Sequence, residues 1–474
     1  MSTISIPNVS ALDISSDAID ALRSRVDGDV LLPGDADFDA ACTAWNLCYT
    51  HAPAAVVIAG SIADITEVVR FTNALGCPLT VQATGHGFSR PATDGVLLVT
   101  SRLTDVEIDR RTLTARVACG AKWGAVLAPA QEQGLAPLLG STTDVGAVGY
   151  TLGGGMGWLG RRYGLASDSV RSFDIVLADG SEVRASALEN EELFWALRGG
   201  GGCFGVVTSM TIELYPVGTV YAGNLLYPIE MAGEVIRRYR DWVAGMDDQL
   251  SSSVAIMNFP PIDEVPEPLR GQSFVIVRGC WCGEVAEGEA LIDEWRSWHA
   301  PAFDMFGAMP FSMADTISSD PVDPMPAMVT TEWFDSLSDD AIDVLVAAGT
   351  PFDGQPPMLA GLELRHAGGA IRAKAGRVAN CRGRSGEFLL QMVGLVFGPE
   401  HGEALAAYLA TVRAALAPMV SGAVYHNFLE GEEKHSRSVT AFTDGDIARL
   451  RAVKDAVDRD NRFRNALGLE PTDI

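Results

Sequence analysis

The sequence predicts an α+β fold built from two or three packed units. Three observations carry that prediction. A chain of 474 residues exceeds what one ordinary core organises. From Ala54 the apolar pattern reads strand, helix, strand. From about residue 217 to 425 it shifts to longer helices and alternating strands, which suits a second α+β unit whose sheet is covered by helices. A hydrophobic fraction of 47% supplies the interior such a fold needs.

Residues 1–50 form a mixed lead-in, with helical spacing near Ile19 to Val26 and again near Asp37 to Trp45. Ala55 to Ile58 is a short apolar strand, Ile62 to Leu75 has helical spacing, and Leu79 to Gln82 is a strand. Ser61 and Asp64 are helix-start residues for the middle element. Val96 to Val99, Val106 to Ile108 and Leu113 to Val117 read as further strands, then Trp123 to Gln133 as a helix ended by Gly134. Strands return at Ser172 to Leu177 and Glu182 to Ala185, joined by the Asp179-Gly180 turn. A helix over 189–197 and a strand from Val206 to Leu214 close the region at Pro216. Later strands are expected at Ser273 to Val277, Cys280 to Cys282, Leu362 to His366 and Phe388 to Val396. Helices are expected at Ala404 to Leu416 and Leu450 to Val457.

Charge narrows the function. The net charge of −26 repels phosphate backbones and anionic lipid, so neither a nucleic-acid partner nor a membrane surface is expected. No window approaches a membrane span, and Met1 to Asp17 lacks the basic start and apolar run of a secretory signal. The eight cysteines form no Cys-x-x-Cys pair and the seven histidines show no metal spacing. A reduced, cytoplasmic, metal-free protein is the expectation.

Three glycine clusters within 125 residues carry the chemistry. The first is Gln82-Ala83-Thr84-Gly85-His86-Gly87, directly after a strand. Two glycines around a histidine admit close approach of a flat or phosphorylated ligand, although a loop histidine by itself also fits a plain hydrogen-bonding role. The second is Thr151-Leu152-Gly153-Gly154-Gly155-Met156-Gly157-Trp158-Leu159, leading to Arg161-Arg162-Tyr163-Gly164; the third runs from Leu197 to Thr208. Each could be a tight turn, but glycine is entropically costly, and three such clusters are hard to explain as turns. None has the strand–GxGxxG–helix form of a dinucleotide fingerprint.

Together these residues resemble the berberine-bridge-enzyme-like branch of the vanillyl-alcohol-oxidase flavoproteins. The resemblance runs from about Trp45 to the C-terminus and is strongest over 53–215. It implies a PCMH-type FAD-binding domain of two α+β subdomains over 51–216. A substrate domain with an antiparallel sheet over the flavin follows at 217–425, and residues 426–474 return to the FAD-binding domain. It implies FAD contacts from Thr84, Gly85, His86 and Gly87, and from Ser141, Thr142, Val145, Gly146, Gly149 and Thr151. Gly153, Gly154, Gly155, Gly157, Leu159, Gly205, Val206, Val207, Asn427 and Asn461 complete that set. His86 matches the histidine that is joined to the flavin 8α-methyl group. Some relatives add a cysteine link ten residues before the second cluster; counting back reaches Thr143, with Thr142 beside it, so a single link through His86 is expected. Gln82 and Thr84 stand where relatives often carry arginine and glycine.

The resemblance also implies the chemistry. Flavin accepts hydride from a small-molecule substrate while a base takes the proton. Tyr163 matches a base near the flavin in some relatives, with Arg162 able to lower its pKa if close. Gln391 matches a substrate-facing strand position, and Tyr425-His426-Asn427-Phe428 resembles a flavin-edge Tyr-x-Asn-Tyr segment, with Phe428 in place of the second tyrosine. A buried, hydrogen-bonded tyrosine and a structural strand glutamine fit Tyr163 and Gln391 equally well. Glu363 and Arg365 share one strand face, Leu364 and His366 the other; either face reaches substrate, or the charged pair is a sheet salt bridge. Val145 falls near the position where oxygen-reacting relatives carry a small residue. An oxidase passing electrons to oxygen is therefore expected, against a dehydrogenase with another acceptor or a flavin-holding binding protein with little turnover.

Overall fold

The computed structural model describes residues 14–87, 89–351 and 356–472. Met1 to Asp13, the first part of the expected lead-in, lies outside them. The strands number β1 to β17 in chain order and fall into three sheets. β1 (Asp29–Leu31), β2 (Ala55–Ile58), β3 (Leu79–Gln82) and β4 (Val96–Val99) form the first, in the order β1-β2-β4-β3. β2 and β3 lie parallel to β4, as a strand–helix–strand crossover requires. The crossover helix, Ile62–Leu75, is capped by the Ser61 side chain and ends at Gly76 in the left-handed region. It buries Ile65, Val68 and Val69 against Val57 and Leu98.

The second sheet holds β5 (Val106–Asp109), β6 (Thr114–Ala118), β7 (Val170–Val176), β8 (Glu182–Ser186) and β9 (Val206–Glu213), in the order β5-β6-β9-β7-β8 and all antiparallel. The third is antiparallel and eight-stranded. Its members are β10 (Thr219–Pro228), β11 (Leu250–Asn258), β12 (Ser273–Trp281), β13 (Phe303–Asp304), β14 (Gly307–Pro310), β15 (Ala327–Phe334), β16 (Gly361–His366) and β17 (Phe388–Leu395). Their order is β13-β10-β12-β11-β16-β17-β15, with β14 also on β10.

Alternation along those strands makes the third sheet two-faced. Leu225, Tyr227, Val254, Val275, Leu364 and Leu390 point one way and pack under helices Ala232–Val243, Asp339–Gly349 and Pro399–Leu416. The other face carries Asn224, Arg278, Ser253, Glu363, Arg365 and Gln391, a polar row set by the register Asn224↔Arg278↔Ser253↔Arg365 and Glu363↔Gln391. That polar face looks toward the glycine-rich segment.

Ile62–Leu75 and the strands β2, β3 and β4 match the sequence expectation residue for residue, whereas β1 falls in the lead-in, where no strand is expected. The helix expected near Asp37 to Trp45 spans only Phe38–Ala41. Trp45 is drawn out of it because its N–H donates to the Gly85 carbonyl and its carbonyl accepts from Met325. The helix expected from Ala404 begins earlier, at Pro399, where proline's missing N–H costs nothing. Strands β10, β11 and β15 were not individually resolved in the sequence pattern. Among the described residues no helix is long and apolar enough to cross a membrane.

Arg161 joins the glycine-rich segment to the third sheet. Its guanidinium donates to the carbonyls of Ala367, Asp247, Leu250 and Met246 and to the Asp248 carboxylate, at 2.7–3.1 Å. The residue is 4% exposed. Removing the fork strands several buried carbonyls together, so Arg161→Met is expected to lower unfolding free energy by about 3 kcal/mol or more. Arg161→Lys should recover less than half, because an ammonium lacks the planar fork. Guanidinium-chloride unfolding of the three proteins measures both effects.

Candidate functional site

The first glycine cluster leaves β3 and turns at Gly85, where φ is +72° and a Cβ would lie 2.7 Å from the Ala44 Cα, so only glycine fits. That turn delivers His86 to a confined place. Its ring stacks on Trp45 with centroids 4.9 Å apart and planes 17° from parallel. Nδ1 meets the Thr84 hydroxyl at 2.9 Å, and the same hydroxyl accepts from the Gly146 N–H. Nε2 is buried without a hydrogen-bond partner, 3.9 Å from Asp144, which Lys122 holds at 2.5 Å. Burial lowers the His86 pKa to about 4, with Lys122 adding to the effect and Asp144 opposing it. The imidazole is neutral at pH 7.

Residues 141–146 lie beside this loop. The Thr142 hydroxyl accepts from Asp144 N–H, and the Trp123 N–H donates to the Val145 carbonyl. Ser141 donates to Asp320, and Thr143 to Asp315, which ties the segment to the chain that follows β14. Helix Ala147–Leu152 follows. A Cβ at Gly149 would have no neighbour within 4 Å, so this helix presents a bare surface. Thr151 bonds back to the Ala147 carbonyl. Beside it Tyr150 carries a buried hydroxyl with no partner, and burial holds that phenol well above its ordinary pKa.

The second and third clusters interlock. The Leu152 carbonyl accepts from both Gly199 and Gly201, and the carbonyls of Gly154 and Gly155 accept from Ser167 and Ala166. The Asn427 carboxamide sits against Gly153, where a Cβ would meet its Oδ1 at 1.9 Å; its Nδ2 donates to the Tyr150 carbonyl. The Tyr425 hydroxyl accepts from Met156 N–H at 2.7 Å, and burial pushes its pKa up to about 12. Leu159 is buried beside Gly157 and Trp158, Gly205 opens β9, and Val206 and Val207 pack into two different cores. Asn461 adopts φ +53° with its Oδ1 buried and unpartnered.

Ser141, Met156, Gly157, Trp158, Arg161, Ser251, Ser252, Arg365, His366 and Ile371 line a cavity between the glycine-rich segment and the polar sheet face. The fold thus gathers Thr84, His86, Gly146, Gly153, Tyr425 and Asn427 around one region. Gln391 is half-buried on the polar face beside Glu363. None of Gln391, Tyr425 and Tyr163 is among the lining residues; the Tyr163 ring stacks on Tyr215 at 4.2 Å, and its carbonyl takes the Lys374 ammonium. Burial and Cys282 push that phenol up, and the neighbouring Arg162 offsets only part of the shift. Trp45 and Tyr150 escaped the sequence reading. A phenol embedded in the Gly149-Tyr150-Thr151 run was a usable signal; nothing local marked Trp45.

These residues fit FAD. His86 Nε2 and the Tyr150 hydroxyl are orphaned buried polar atoms, and the Gly149 surface is open to a flat group. Comparison with known proteins agrees. Residues 53–186 match the model of an FAD binding domain. An FAD-linked oxidoreductase of Dictyostelium discoideum is 24% identical over 432 residues, 90% of this chain and 91% of that protein. (R)-6-hydroxynicotine oxidase of Paenarthrobacter nicotinovorans is 34% identical over 192 residues, 40% of this chain and 42% of that protein. Among solved structures, berberine bridge enzyme from Eschscholzia californica superposes with a TM-score of 0.83 at 19% identity, covering 96% of this chain and 99% of that one. 6-Hydroxy-D-nicotine oxidase from Arthrobacter nicotinovorans gives 0.80 at 23% identity, covering 92% and 96%.

Burial of neutral imidazoles makes stability acid-sensitive. His366 and His426 are held down to about 3, and His86 to about 4, all chiefly by burial. Below the ordinary 6.5 the unfolded chain binds protons that the folded chain refuses, so stability is full above about pH 6.5 and falls as pH drops toward 4. Each histidine is expected to cost about 2 kcal/mol between pH 7 and 5. His426 packs on Phe442 with both ring nitrogens unpartnered. His426→Phe should therefore narrow the pH 7 to pH 5 difference in unfolding free energy by about that amount.

Proposed function

We propose that this FAD-linked oxidoreductase, with an FAD binding domain over 53–186 and the fold of berberine bridge enzyme, is an oxidase of a small alcohol, sugar or secondary-metabolite intermediate. In this reading 51–216 bind FAD, 217–425 form the substrate side, and 426–474 return to the FAD-binding part. The observation that carries it is His86: a neutral, buried imidazole with an unpartnered nitrogen, fixed by Trp45 and Thr84 in the loop after β3. His86 holds the cofactor by a single covalent bond, and Thr142 and Thr143 offer no second thiol.

Bound FAD would supply a hydride acceptor for the substrate and a route for the electrons to oxygen. The chain's own residues do the rest. Asn427 and Tyr425 fix the backbone of Tyr150 and Met156, so that the cavity wall is rigid. Trp158, Met156 and Ile371, which line the cavity, exclude water; Gln391 on the polar sheet face and Tyr425 beside Met156 supply polar groups for orienting a hydroxyl and moving its proton. Tyr163 is the third candidate for that proton. Val145 is the residue whose small side chain would favour reaction with oxygen in this reading. The match to nicotine oxidases over part of the chain supports oxidation of a small molecule.

Acid precipitation is expected to leave yellow flavin on the polypeptide of the wild-type protein and a colourless pellet for His86→Ala. Reduced enzyme mixed with air-saturated buffer should reoxidise within seconds; reoxidation over minutes would instead make it a dehydrogenase. Tyr425→Phe and Gln391→Leu are each expected to slow flavin reduction by roughly 10²-fold, the scale of general acid–base help. Tyr163→Phe should change it less than about threefold, and an equal loss there would move the base to Tyr163.

A further inference from the structure

On the polar face of the third sheet, two arginines share one carboxylate. Arg365 reaches Glu363 Oε2 through Nε at 2.9 Å and Nη2 at 2.8 Å, and Arg278 reaches Oε1 through Nη1 at 3.3 Å. The Ser253 hydroxyl donates to the same Oε1 at 2.6 Å. The three charged side chains are 12%, 7% and 8% exposed for Arg365, Arg278 and Glu363. Two buried cations therefore face one buried anion. An uncompensated charge out of water is costly unless a partner arrives. Asp320 also bears on Arg365, but it is half-buried, bonded to Ser141, and in no ion pair with either arginine among the described residues. Solvent weakens what it contributes.

A second observation falls at the same place. Arg278 Nε, Asn224 Oδ1 and Ser318 Oγ are all buried without partners. Asn224 is the direct cross-strand neighbour of Arg278, and the short helix Asp315–Ser318 packs on both β10 and β12. Native proteins seldom leave three such atoms unsatisfied together. Arg365, the other arginine of the set, lines the cavity.

We propose that Arg365 and Arg278 bind a carboxylate, so that the substrate of this enzyme is an organic acid. This rests on the cavity being the substrate chamber of the oxidase described above. A guanidinium presents paired N–H groups that match the two oxygens of a carboxylate, and the incoming anion balances the surplus positive charge. Glu363 keeps its charge in this arrangement: burial opposes ionisation, yet Arg365, Arg278 and Ser253 outweigh it and hold the carboxyl at about 2. It therefore orients Arg365 and takes no proton from substrate at neutral pH. Asn224 and Ser318 are placed to meet a hydroxyl or amide next to the acid group. A neutral sugar or an ammonium would leave the second arginine unbalanced.

The test uses the FAD-loaded protein and follows the flavin absorption band. Benzoate, phenylacetate and nicotinate are titrated against benzamide, phenylacetamide and nicotinamide, with benzylamine as the cation. The acids are expected to shift the band saturably and to bind roughly 10- to 100-fold more tightly than the amides, the span of one charge-assisted hydrogen-bonded pair. In Arg278→Met that preference should shrink to about threefold or less, and in Arg278→Lys it should be partly kept. Amides binding as tightly as acids, benzylamine binding tightest, or no shift with any acid overturns the proposal. The wild-type comparison decides it even if a variant fails to fold. The two readings fail separately: a flavin that binds acids but that no compound reduces defeats the oxidase and leaves the acid site standing. Rapid reduction by neutral substrates alone does the reverse.

Discussion

Arg161 is the constraint on which the site depends. It sits in the short helix Gly160–Tyr163, at the end of the second glycine cluster, and its fork closes on the carbonyls that precede β11 and follow β16. One cavity wall, Met156 to Trp158, is thereby fixed against the other, Ser251 and Arg365. No apolar residue could replace it, because the carbonyls it satisfies lie at strand ends where the ladder no longer supplies donors. A single buried cation with five matched acceptors sets the width of the chamber.

Glycine packing does the complementary work on the other side. Because Gly199 and Gly201 both donate to Leu152, the second and third clusters behave as one backbone surface. Asn380 and Asn427 slot against it: Asn380 donates to the Gly153 carbonyl and Asn427 to that of Tyr150. The side chains that fill these positions come from residues 380 and 427, far along the chain, and so segments on either side of β17 are locked to the glycine-rich surface. The flat, open surface that remains at Gly149 is what a planar cofactor needs.

Burial acts on every ionisable group here, yet with opposite outcomes. His86, His366 and His426 lose their charge because burial outweighs what nearby anions return, Asp144 at 3.9 Å from His86 included. Glu363 is as deeply buried and stays ionised because two arginines and a serine hydroxyl address it. Neutral imidazoles at His86, His366 and His426 thus stand beside a permanently charged cluster on the sheet.

By itself the sequence determined the strands β2, β3 and β4 of the first sheet with their crossover helix, and the three glycine clusters, and it singled out His86. It also put Glu363 and Arg365 on one strand face. Those features are local: a period of two or of 3.6, a cap, or a glycine run is written in neighbouring residues. The tertiary structure decided what meets what. Trp45 reaches His86, Tyr163 turns to Tyr215, and Arg278 joins Glu363. The last of these needs β12, β11 and β16 to be consecutive in a sheet ordered β13-β10-β12-β11-β16-β17-β15. Strand order is fixed by how whole faces bury against helices, a sum over distant residues that no window of sequence contains.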